Sequence, residues 1–193
     1  MEIKLIDKKE LSDIYNKYMI ADFPQEELKS LELLLDFYDN SIYYPYGLYE
    51  NNNLVAYAMM FKIKNSKYML LDYFAVCKER RSKGYGSKFL ELLQNELTEL
   101  NGIIFEVESG KNANSEKELE ICKKRIKFYL NNGLVEKKLT CILNKIDLTI
   151  FLLPISENSD ENILYNELDT IYKVMYGDKI YGKEVFLKKL NKI

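Results

Sequence analysis

Leu70-Leu71-Asp72-Tyr73-Phe74-Ala75-Val76-Cys77-Lys78-Glu79-Arg80-Arg81-Ser82-Lys83-Gly84-Tyr85-Gly86-Ser87 decides the fold. An aromatic and aliphatic strand runs into a short basic loop, two glycines stand one residue apart, and a helix begins. Physically this makes an anion cradle. Successive loop amides turn inward, the helix start adds about half a positive charge, and glycine keeps side chains away from the backbone donors. Only three of the 28 basic residues are arginine, and two of them, Arg80 and Arg81, sit in this loop. A dinucleotide fold is excluded because it needs a longer glycine run after a first strand, with an acidic partner further on. The Gly-x-x-x-x-Gly-Lys-Ser/Thr spacing of a P-loop is also absent.

Upstream, Tyr46–Glu50, Leu54–Ile63 and Tyr68–Cys77 read as three strands joined by turns at Asn51–Asn53 and Lys64–Lys67, an antiparallel meander. Before them stand a strand at Glu2–Ile6, a helix carrying Leu11, Ile14, Tyr15 and Tyr18, and a second helix carrying Leu28, Leu31, Leu34, Leu35 and Tyr38. Downstream of Gly84, Phe89, Leu90, Leu93 and Leu97 mark one helix face, and Ile103–Glu108 is a short strand. Strand, helix and strand in that order predict a parallel crossover. Ser115-Glu116-Lys117-Glu118 is a capping box that opens a helix to about Asn131, where Gly133 ends it. Leu139–Leu143 and Leu148–Leu153 are the last two strands. Helical stripes follow at Leu164, Leu168, Ile171 and Met175, and at Val185–Leu190. The pattern predicts an α/β mixed sheet over residues 1–155. A helical extension over 156–193 packs on the same domain, its stripes serving as packing surface or homodimer contact.

Composition bounds the chemistry. The chain has 193 residues, 47% hydrophobic and 30% charged, enough to bury a core without a metal or disulfide staple. Its net charge of -2 argues against a nucleic-acid partner. It contains no histidine, which removes histidine bases, Ser-His-Asp and Cys-His machinery, and imidazole-dependent zinc sites. Cys77, Cys122 and Cys141 are too few and scattered for a thiolate metal site, so no metal is expected. The start lacks a signal-peptide core and no apolar run approaches the ~20 residues of a membrane span. A cytoplasmic protein with no membrane partner is expected.

Arg81-Ser82-Lys83-Gly84-Tyr85-Gly86 resembles the Arg/Gln-x-x-Gly-x-Gly/Ala motif of the GNAT (Gcn5-related) N-acetyltransferases, preceded by a strand ending Phe74-Ala75-Val76. Arg125–Leu134, which includes Phe128-Tyr129 and Gly133-Leu134, is similar to that family's later Phe-Tyr-x-x-x-Gly-Phe helix. The element order over roughly residues 1–153 agrees. The resemblance implies a GNAT-like acyl-CoA acyltransferase fold, in which the parallel pair of strands splays apart between Asp72–Val76 and Ile103–Glu108. It also implies acetyl-CoA as acyl donor, with the pyrophosphate on the amides of Arg81, Ser82, Lys83, Gly84, Tyr85, Gly86 and Ser87. The pantetheine arm would pair with the strand edge at Phe74, Ala75 and Val76.

Acyl transfer from a thioester to an amine needs a neutral amine, a stabilised oxyanion and a proton for the departing thiolate. A backbone N–H near Phe74 or Val76 is the natural oxyanion donor. The resemblance makes Tyr129 the acid, since it holds the family's tyrosine position. The base is open. The family's strand glutamate corresponds to Leu70; Asp72 shares that face, and Glu106 and Glu108 on the neighbouring strand are rivals. Each of the three carboxylates also has a structural reading, bonding backbone at the splay or pairing with Arg125. Two departures stand out. Cys122 takes the place of a helix asparagine, and Arg125 replaces a small residue. Tyr15, Tyr18, Phe23, Tyr43, Tyr44 and Tyr46 would line the acceptor side or simply pack. The expected activity is direct transfer to a primary amine of a small molecule or peptide in a ternary complex. A non-catalytic, coenzyme A-binding regulatory or interaction protein of the same fold is the alternative.

Overall fold

Asn51 and Asn52 adopt positive φ of 50° and 63° between two strands, the backbone that a two-residue hairpin turn demands and that asparagine tolerates. That turn joins β2 (Tyr43–Glu50) to β3 (Asn53–Phe61) in a computed structural model of the chain that describes residues 1–157 and 159–190. The chain divides into two units. Met1–Lys64 with Leu71–Glu96 form the first, and Asn65–Leu70 with the residues from Leu97 onward form the second. Strand β4 (Tyr68–Val76) therefore starts in the second unit and ends in the first.

In the first unit the strand order is β1 (Glu2–Leu5), β2, β3, β4. β1–β2 and β2–β3 are antiparallel, with Ile3 opposite Leu48 and Gly47 opposite Tyr57. β3 is the core strand: every residue from Val55 to Phe61 is fully buried. β4 alternates instead. Leu71, Tyr73 and Ala75 are buried, while Asp72, Phe74 and Val76 are half-exposed on the other face, as a period of two requires.

The first helix departs from regular spacing. α1 (Lys8–Ile14) buries Leu11 and Ile14, then a π-turn at Tyr15–Met19 precedes the short α2 (Ile20–Asp22). The wider turn advances the buried position to Met19 and leaves Tyr18 half-exposed. α3 (Leu31–Asp39) starts on Ser30, whose hydroxyl accepts the Leu33 amide, and it buries Leu34 and Phe37. α4 (Tyr85–Glu96) buries Gly86, Phe89, Leu90 and Leu93.

In the second unit the order is β5 (Gly102–Glu108), β7 (Ile146–Pro154), β6 (Val135–Leu143), β8 (Val185–Lys189), all antiparallel. α5 (Glu116–Asn131) opens on Ser115, which accepts the Glu118 amide; Glu118 in turn accepts the amide of Asn114. α6 (Glu161–Ile180) buries Leu164, Leu168, Ile171 and Met175, with non-helical backbone at Gly177.

One sequence expectation is corrected here. Val185–Leu190 is not helical. Val185 and Leu187 are buried while Phe186 and Lys188 are exposed, and the segment pairs with β6 from Leu139 to Leu143. A five-residue segment has no room to show a helical period, and the open edge of β6 supplies the missing hydrogen bonds. No helix among the described residues is long and apolar enough to cross a membrane.

Candidate functional site

The cradle lies wholly within the first unit. After Val76 the chain makes a 3-10 turn at Lys78–Arg80, in which the Arg80 amide donates to the Cys77 carbonyl at 2.8 Å. Ser82 (φ 62°) and Gly84 (φ 81°) then enter the left-handed region, and the first helical bond of α4 runs from the Lys88 amide to the Gly84 carbonyl. Alternating left- and right-handed residues turn successive N–H groups to one side, and a helix start leaves its first amides unbonded. None of the six amides from Ser82 to Ser87 donates to a described residue. A Cβ built on Gly84 would meet nothing within 4 Å, so the space beside Gly84 is open.

The basic side chains of the loop are engaged elsewhere. Arg81 folds back, donating Nε to the Val76 carbonyl at 3.0 Å and pairing with Asp22 at 2.6 Å. Asp22 also accepts the Tyr57 hydroxyl at 2.8 Å, and burial together with this bond pushes the Tyr57 proton's pKa up. Arg80 approaches Glu50 at 3.4 Å; Tyr85 donates to the same carboxylate at 2.7 Å, and Lys83 donates to the Glu79 carbonyl. Arginine thus braces the loop, and the main chain presents the donors.

On β4, Phe74 packs on Phe89 of α4 with ring centroids 5.7 Å apart. Both oxygens of Asp72 have partners: Lys29 at 2.7 Å and the Tyr43 hydroxyl at 2.8 Å. Next along the strand, the Tyr73 hydroxyl donates to the Glu27 carbonyl and accepts the Lys29 amide, with Phe23 edge-on to its ring. Of the aromatics proposed for the acceptor side, Tyr43, Phe23 and Tyr15, whose hydroxyl donates to the Lys29 carbonyl, belong to this cluster. Tyr44 instead donates to the Ser41 carbonyl, and Tyr18 lies against Tyr57.

The remaining candidates lie in the second unit. Tyr129, on α5, is 9% exposed and packs edge-on against Phe105 of β5 at 5.3 Å. Burial holds its pKa above the ordinary tyrosine value against the opposing charge of Arg125. It therefore carries its proton at neutral pH. Glu108 accepts from Arg125 at 3.2 Å and from the Cys122 thiol at 3.3 Å. Glu106 accepts the hydroxyl of Tyr172, a fully buried residue of α6. Cys141 lies beside Glu106, and burial pushes its thiol up to about 12. Cys122 is likewise raised, by burial and then by Glu108, so neither is a ready thiolate.

Sequence reasoning missed Lys29 as the partner of Asp72, and it missed Tyr172 over Glu106. Each pair is far apart in the chain, and neither shares a motif or a period. Among the described residues no group of three or more histidine, cysteine, aspartate or glutamate side chains could hold a metal ion.

The sequence profile of the "Acetyltransferase (GNAT) family" matches residues 8–122, more than half of the chain. The chain belongs to the GNAT acetyltransferase family. Its fold is similar to that of a GNAT-family protein from Bacteroides thetaiotaomicron, with a TM-score of 0.71 and 20% identity over 92% of this chain and 99% of that one. It is also similar to the ribosomal-protein-S18-alanine N-acetyltransferase of Escherichia coli (TM-score 0.58, 23% identity, 83% and 97% covered). A Salmonella typhimurium structure solved with acetyl-CoA gives a TM-score of 0.57 at 17% identity, with 82% and 96% covered. A search of curated proteins finds no match. In this GNAT chain the matched region includes β4, the cradle and the start of α5.

Proposed function

We propose that this GNAT-family chain is an N-acetyltransferase that moves the acetyl group of acetyl-CoA directly to a primary amine of a small molecule or peptide. One observation carries the reading: six consecutive main-chain amides, Ser82 to Ser87, donate to no described residue at a helix start, where a diphosphate finds donors and a favourable field. Family membership, and a fold shared with a structure solved with acetyl-CoA, support that ligand over other diphosphates. The pantetheine arm then follows the β4 edge from Val76 through Ala75 to Phe74, and a main-chain N–H there receives the thioester oxygen.

The neutral amine nitrogen attacks the thioester carbon. The C–N bond forms, the C–S bond breaks, the nitrogen sheds one proton, and the coenzyme A thiolate takes one. Tyr129, kept protonated by burial, is the donor in this reading. Glu108 and Glu106 remain rivals of Asp72 for the amine's proton. Each of the three has a partner on its carboxylate, which favours relay through water over direct abstraction.

Calorimetry with acetyl-CoA, coenzyme A and ATP, followed by thiol release on a panel of primary amines, tests the proposal. Binding of the two coenzyme forms but not ATP, with thiol release, is the expected result. Equal binding of ATP would overturn the ligand. Coenzyme binding without thiol release on any amine would favour the non-catalytic alternative.

A further inference from the structure

Asp72 is 7% exposed in its side chain and would be costly as a lone anion at that depth. What neutralises it is the ammonium of Lys29, at 2.7 Å from one oxygen, while the Tyr43 hydroxyl donates to the other. The same ammonium stands 5.3 Å from the centre of the Tyr73 ring, and that ring is fixed through its hydroxyl to the Glu27 carbonyl and the Lys29 amide. A carboxylate, a phenol bonded to it and an aromatic ring make a box fitted to one primary alkylammonium. The occupant is not sealed in, because the Lys29 side chain keeps 15% exposure. Asp72 lies two residues before Phe74 on the same face, roughly 7 Å along the strand from the proposed thioester position.

We propose that the Asp72–Tyr43–Tyr73 box receives the acceptor's unbranched primary alkylammonium, and that Lys29 is an internal stand-in which the acceptor displaces. This rests on the acetyl-transfer reading and adds the substrate class to it. Lys29 keeps Asp72 paired while no acceptor is bound. An incoming ammonium replaces it charge for charge, so the exchange leaves no buried ion alone. Asp72 then faces the nitrogen that must lose a proton before attack.

The test uses the full chain and needs no coenzyme. The wild-type protein is pulsed with acetic anhydride, with and without n-butylammonium, and modification of Lys29 is read by mass spectrometry as a ratio to that of the exposed Lys9, which corrects for anhydride consumed by the amine. Displacement predicts at least fivefold more labelling of Lys29 with the amine present; unchanged labelling overturns the proposal. In parallel, Lys29→Ala leaves the box vacant and should bind n-butylammonium at least tenfold more tightly than wild type, with a rise in melting temperature. Lys29→Ala with Asp72→Asn should lose that gain, whereas equal binding by all three proteins also overturns it. Nα-acetyl-lysine methylamide forms a second arm: displacement by it as well points to a lysine side chain, and displacement by butylammonium alone to a small amine. If acetyl-CoA binds normally while Lys29 stays put, only the acceptor assignment fails. If Lys29 is displaced but no coenzyme binds, it is the transfer reading that fails.

Discussion

Replacing Gly84 with valine separates the cradle from the fold. Gly84 has φ +81°, which a β-branched side chain adopts at a cost of about 1–2 kcal/mol, yet nothing lies within 4 Å of the added Cβ. The stability loss is therefore confined to the backbone term, and a chain of this size should melt about 2–8 °C lower. Binding suffers more. The new methyl groups occupy the open space beside Gly84 that the diphosphate would need, and loss of two charge-assisted hydrogen bonds at about 1.5–3 kcal/mol each weakens coenzyme A by about 10²–10⁴-fold. Isothermal titration with coenzyme A, alongside a thermal melt, reads both quantities. A folded Gly84→Val protein that binds coenzyme A within threefold of wild type would remove the cradle as the diphosphate site.

Three further predictions rest on named side chains. Tyr129→Phe removes one hydroxyl and keeps the ring packed on Phe105, so the fold and acetyl-CoA affinity should hold while kcat falls about 10²-fold in a steady-state thiol assay. Asp22→Ala frees Arg81 and strands the buried Tyr57 hydroxyl; it should cost about 1–3 kcal/mol in denaturant unfolding and loosen coenzyme binding. Tyr57, Tyr73, Tyr129 and Tyr172 all have pKa values raised by burial, so above the ordinary value near 10 the unfolded chain loses protons that the native state keeps. Stability present below pH ~10 should then fall by about 1.4 kcal/mol per pH unit per tyrosine, with phenolate absorbance appearing together with unfolding. Phenolate forming in a still-folded protein would count against that sign.

The β2–β3 hairpin, the capped helix at Ser115 and the cradle loop are legible in the amino-acid order, because each is written in neighbours: asparagines in a two-residue turn, a serine three residues before a glutamate, glycines at a helix start. That order also places Asp72, Phe74 and Val76 on one face, since alternation along a strand is a local rule. The fate of each candidate carboxylate belongs to the tertiary structure. Asp72 meets Lys29 from 43 residues away, and Glu106 meets Tyr172 from 66 away. β8 shows the same limit, because Val185–Lys189 becomes a strand only where β6 offers its edge. Local spacing sets which backbone conformation is cheap, whereas the partner of a buried charge is set by which distant segments pack against it.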